Sequence, residues 1–137
     1  MSEANFRKWL KQNKPAGAVM TSIETSTQAG VPDLFTCHQG VMKWIECKYF
    51  PKSQTTIRLR ATQYVWLKKL ILAGGNGGLV IKRGPKSIDY YDATTFVIHD
   101  YDTLKVTCQD IVLTKLIKPT FHYDGTNKDE FYKHLLL

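Results

Sequence analysis

The sequence predicts an α/β fold built as one domain over residues 1–137. Three observations carry that expectation. A chain of 137 residues supports one hydrophobic core and leaves no room for two. Apolar residues recur at helical spacing in some segments and in strand-like runs in others. Two strand-like runs flank a Gln-Gly pair, the arrangement of a tight antiparallel hairpin.

The elements follow in order. Residues 3–13 read as a short helix, with Phe6, Trp9 and Leu10 on one face and Pro15 and Gly17 ending it. Residues 18–24 read as a strand, and a Ser/Thr/Gly loop runs to Gly30. Residues 33–38 and 41–48 form the hairpin around Gln39-Gly40. Residues 49–58 lack periodicity and read as a mobile basic loop. Residues 60–73 form the clearest helix, burying Trp66, Leu67, Leu70 and Ile71, and Gly74-Gly75 stop it. Residues 78–83 and 87–91 read as strands joined by a Gly84-Pro85 turn. Beyond residue 92 the expectations are a strand at 104–107, a short helix at 111–117 and a C-terminal helix at 129–137.

Composition removes several classes of function. The apolar share of 43% and charged share of 23% exclude a disordered chain. No apolar run approaches the roughly 18 residues of a membrane span, and the first residues lack the pattern of a signal peptide. Cys37, Cys47 and Cys108 make an odd count with no metal-type spacing, so reduced thiols and a cytoplasmic location are expected. Cys37, His38 and Cys47 match no zinc-finger spacing.

Charge points to a polyanion. Nineteen Lys and Arg against twelve Asp and Glu leave +7. Residues 43–69 carry seven basic side chains against Glu46 alone. Residues 89–110 carry five Asp against Lys105. A basic stripe in a small domain is the usual footprint of phosphate-backbone binding.

The hairpin supplies the chemistry. With a two-residue loop, His38 pairs with Val41, and counting outward sets Asp33 opposite Glu46. Like charges directly across two strands repel. A divalent cation between the carboxylates would offset that repulsion, and Mg²⁺ prefers such oxygen ligands. Strand alternation returns Lys48 to the face of Glu46 and turns Cys47 away. The plainer reading is a surface ion pair between Glu46 and Lys48. The apolar strand around them weighs against it, because burying acids and a lysine is costly without partners.

Gly30-Val31-Pro32-Asp33, followed after twelve residues by Glu46-Cys47-Lys48, resembles the PD-(D/E)xK nuclease superfamily. The likeness covers residues ~20–83. With Leu59-Arg-Ala-Thr-Gln63 and Ala73-Gly-Gly it is most similar to the virus-type replication-repair nucleases, the small Holliday-junction resolvases and phage homing endonucleases.

The resemblance implies a restriction-endonuclease-like mixed central sheet flanked by helices. It also implies Mg²⁺-dependent cleavage of DNA, with Mn²⁺ able to substitute. Asp33 and Glu46 are then metal ligands, joined by the backbone carbonyl of Cys47, and Lys48 is the catalytic lysine. Gln63 matches a glutamine that reaches toward the site. Glu24 stands where related resolvases have an acidic residue. Lys52, Arg58 and Arg60, in the basic loop, are the expected DNA contacts. The implied setting is a bacterial or phage-infected cell.

Two activities share this core: structure-selective junction resolution and site-specific homing-type cleavage. A catalytically inactive DNA-binding module of the same fold is the alternative. One site per chain cuts one strand per encounter, so a homodimer is expected. The apolar C-terminus, Phe131-Tyr132 and Leu135-Leu136-Leu137, either forms that interface or packs on its own domain.

Overall fold

The computed structural model describes residues 2–23, 29–50, 58–97, 110–112 and 118–137. Helix α1 (Glu3–Gln12) starts at Ser2, whose side chain accepts the Asn5 amide at 3.1 Å, and buries Phe6 and Leu10 one turn apart. Strand β1 (Val19–Ser22) follows. Strands β2 (Leu34–His38) and β3 (Val41–Tyr49) form the expected hairpin. Gln39 and Gly40 both take positive φ, 50° and 80°, as the two-residue turn requires. The register matches the count made from that turn, from His38 opposite Val41 to Leu34 opposite Ile45.

Strand β4 (Arg58–Arg60) leads directly into helix α2 (Ala61–Leu72). Strands β5 (Gly77–Gly84) and β6 (Ser87–Asp92) come next, then helix α3 (Thr94–Val97). Strands β7 (Asp110–Val112) and β8 (Phe121–Tyr123) precede helix α4 (Lys128–Leu136). Six strands form one mixed sheet in the order β1-β2-β3-β5-β6-β8, while β4 and β7 form a separate pair. Among the described residues only β3 and β5 run parallel in the large sheet. Parallel neighbours need a crossover, and α2 lies in that connection.

The sheet is sandwiched between two apolar clusters. One joins Phe6 and Leu10 of α1, Ile45, Cys47 and Val80 of the sheet, and Phe131, Leu135 and Leu136 of α4. The other joins Tyr64 and Leu67 of α2 to Leu79, Ile81, Tyr91 and Phe96. Alternation along β3 and β5 assigns successive residues to the two layers. Tyr90 and Tyr91 both pack in the core, one in each layer.

Several expectations change. Residues 111–117 were expected as helix, yet 110–112 are strand β7, paired with β4. The β-branched Ile111-Val112 suit a strand, and the partner that selects it lies about 50 residues away in sequence. Arg58 and Arg60 belong to strand β4 and not to a loop. The two three-residue strands β4 and β8 and the one-turn α3 are too short to show a period. The expected strand at 104–107 lies outside the described residues. Phe131, Tyr132, Leu135 and Leu136 are buried on their own sheet, so this side of the C-terminal helix completes the core, while Leu137 is 47% exposed.

Candidate active site

The hairpin and the start of α2 build the site together. Asp33 stands one residue before β2, beside the end of β3. Its Oδ2 accepts the Cys47 backbone N–H at 3.0 Å. Glu46 lies on β3 with its side chain toward α2, where Gln63 Nε2 donates to Glu46 Oε1 at 2.9 Å. Lys48, two residues on, returns to the same face with its Nζ 3.8 Å from Glu46 Oε1.

Gln63 is held at its other end. Its Oε1 accepts the Arg60 backbone N–H at 3.1 Å, fixing the amide at the first turn of α2. Gly30 brings the Asp33 loop against that turn. It has φ +86°, and a Cβ there would stand 2.3 Å from the Thr62 carbonyl oxygen. Glycine is required both by the left-handed backbone and by the close approach.

The carboxylates are unbalanced in charge. Glu46 is only 3% exposed. Burial first, then the Asp33 carboxylate, push its pKa up to about 9, against the pull of Lys48. Glu3, in the first turn of α1, pushes the same way. Arg7, one turn later, places Nη1 4.0 Å from Asp33 Oδ1. Glu3 and Arg7 escaped the sequence reading. Their signal was i,i+4 spacing on one side of an amphipathic helix, which says that two side chains meet but not what they face.

The other expected residues distribute as follows. The Cys47 thiol is fully buried on the α1 side, and burial raises its pKa well above the usual thiol value. Its main chain, not its sulfur, adjoins the site. Arg58 and Arg60 are exposed on β4, and the Arg60 amide is tied to Gln63. Glu24 and Lys52 lie outside the described residues. Among the described residues no group of three His, Cys, Asp or Glu side chains converges on a cation position. A divalent cation still fits. Mg²⁺ keeps several waters and is commonly held by one or two carboxylates, and here burial and the Asp33 carboxylate disfavour the charged form of Glu46, which a cation would favour.

The fold is similar to that of a Holliday junction resolvase. The crystal structure of Hjc, a Holliday junction resolvase from the archaeal hyperthermophile Archaeoglobus fulgidus, superposes with a TM-score of 0.55. The match covers 82% of this chain and 85% of that one, at 12% identity. At that identity the likeness concerns the arrangement of sheet and helices. No family model matches the sequence, and no curated protein matches it. The shared fold is a mixed α/β architecture, one sheet flanked by helices.

Proposed function

We propose that this protein is a metal-dependent DNA endonuclease that acts on branched DNA, resolvase-like in its choice of substrate. The observation that carries the reading is buried Glu46 beside half-buried Asp33, with Lys48 Nζ 3.8 Å from Glu46, set in a resolvase-like sheet.

Asp33 and Glu46 would hold a divalent cation, Mg²⁺ or Mn²⁺, with the Cys47 main-chain carbonyl as a further ligand. When bound, such a cation acidifies water and polarises a phosphoryl oxygen. Lys48 stands beside Glu46 to hold the charge that develops on the attacked phosphate. Gln63 is a positioning residue: tied to the Arg60 amide, it fixes the rotamer of Glu46. Glu24 is a further acidic candidate. Lys52, Arg58 and Arg60 would grip the backbone on either side of the cut.

We further propose a homodimer, since resolving a junction needs two cuts. With the apolar side of the C-terminal helix buried in the core, the face that would meet a second copy is the α2 side of β1-β2-β3. Val19 opposes Cys37 and Cys37 opposes Met42, giving an uncharged row in which Val19 is 53% and Met42 59% exposed. Phe35, Trp44 and Trp66 continue it, with ring centroids 5.1 and 5.3 Å apart.

The test is one protein preparation on a labelled four-way junction, its linear duplex arm and a single strand. Cleavage of the junction in Mg²⁺, suppressed by EDTA and much weaker on the other two, is the expected result. Full activity in EDTA would remove the mechanism, and equal cutting of duplex would remove the junction preference.

A further inference from the structure

Helix α1 brings to the acidic end of the sheet a cation that the proposed chemistry does not use. Asp33 Oδ2 accepts the Cys47 backbone N–H at 3.0 Å, and its carboxylate also meets the Glu46 carboxyl. Its other oxygen, Oδ1, lies 4.0 Å from Arg7 Nη1. Arg7 is 27% and Asp33 29% exposed, so water screens the pair only in part. Arg7 follows Phe6, which is fully buried, so the face of α1 that carries it is fixed against the sheet.

The cations of the site are divided between its acids. Lys48 Nζ stands 3.8 Å from Glu46 Oε1, and Lys48 is the cation that favours the charged form of Glu46. Arg7 serves Asp33. Its charge is felt inside the site: burial, Asp33 and Glu46 raise the pKa of the Cys47 thiol, and Arg7 pulls it the other way. Glu3 precedes Arg7 by four residues on the same helix, the spacing at which side chains meet, and it is exposed. The guanidinium thus has one carboxylate that it faces, Asp33, and a second beside it on its own helix.

We propose that Arg7 is the resident counter-ion of Asp33, a guanidinium that a divalent cation must outcompete for this carboxylate, so that Arg7 weakens metal uptake by the protein free of DNA. This rests on the metal-site reading of Asp33 and Glu46. Two cations drawn to one carboxylate repel each other, and the repulsion is strongest where water screens least. Arginine stays protonated at every pH the protein survives, so the competition does not lapse as pH rises. Metal uptake is then a displacement, in which the guanidinium leaves Asp33 and Glu3 stands ready as its second acceptor.

The test is calorimetric titration of Mg²⁺ into metal-free wild type, Arg7→Gln and Arg7→Lys at pH 8, at low and at high salt. Arg7→Gln is expected to bind Mg²⁺ about three- to tenfold more tightly at low salt. Arg7→Lys keeps the charge and should stay near the wild type. The advantage of Arg7→Gln should shrink at high salt, because the repulsion it removes is screened there. A merely structural role would lower the melting temperature and leave Mg²⁺ affinity unchanged or weaker. Either of those affinities in a folded Arg7→Gln protein overturns the proposal, and so does an Arg7→Lys protein that binds as tightly as Arg7→Gln. If Arg7→Gln does not fold, Arg7→Met is measured in its place, with the same criterion. A parallel cleavage reaction on the four-way junction separates the two readings. Tighter Mg²⁺ binding by Arg7→Gln, with no junction cleavage by the wild type, removes the nuclease reading and keeps the counter-ion. Cleavage by the wild type, with unchanged Mg²⁺ affinity in Arg7→Gln, removes only the counter-ion.

Discussion

Glu46 combines a buried carboxyl, a neighbouring acid and a single lysine, and its titration follows from that company. Its folded-state pKa lies near 9 against an ordinary 4.5, so the metal-free protein retains a proton that the unfolded chain gives up. The folded state binds more protons between those values, so stability is greatest at the acid end of that window and falls as pH rises through it. The slope from this one group reaches about 1.4 kcal/mol per pH unit. Melting temperatures of the metal-free protein should therefore decline from pH 6 to pH 9. Glu46→Gln should flatten that decline, and saturating Mg²⁺ should do the same by stabilising the ionised pair. Lys48 tests the chemistry. Lys48→Ala should lower the single-turnover cleavage rate by about 100-fold or more while junction affinity changes little, because the charge it meets develops in the transition state. Equal loss of affinity and rate would instead make Lys48 a simple DNA contact.

The turn between Gly30 and Asp33 and the first turn of α2 act as one unit. Gly30→Ala forces a Cβ to 2.3 Å from the Thr62 carbonyl oxygen at a φ of +86°. The backbone conformation alone should cost about 1–3 kcal/mol. The displaced loop should also carry Asp33 away from the Cys47 amide, so Mg²⁺ affinity should fall along with thermal stability. Calorimetric Mg²⁺ titration of the variant checks this, and unchanged metal affinity would separate the loop from the site. Strand β4 makes a different prediction. Arg58 and Arg60 lie at the entrance to α2, so Arg58→Ala with Arg60→Ala should reduce the salt slope of DNA binding by up to about two. An unchanged slope would place the DNA elsewhere.

At the scale of the molecule, the sheet is covered on one side by α1 and α4, while on the other β1 and β3 present Val19 and Met42 to solvent. A self-complementary apolar row of this kind suits a two-fold interface, the commonest closed symmetry. Sedimentation at micromolar concentration should give a dimer, and Met42→Asp should give a folded monomer that nicks junctions without resolving them. A wild-type monomer, with and without DNA, would remove the dimer proposal.

The hairpin was legible in the sequence because its information is local. A two-residue turn sets the register, and strand alternation then decides that Glu46 and Lys48 share a face while Cys47 does not. Helices α1, α2 and α4 were legible for the same reason, each spanning enough turns to show its period. What only the tertiary structure decided is what those faces meet. Gln63 bonds Glu46 because Gly30 lets the Asp33 loop rest on α2, and α1 adds Glu3 and Arg7 across the sheet end. Strand β7 exists through β4, and β8 through β6. The C-terminal leucines looked equally fit for an interface or a core, and packing against β8 and the sheet chose the core. Periodicity records which side of an element is apolar. The identity of the surface that covers it depends on residues far away in the chain, brought together only when the sheet closes.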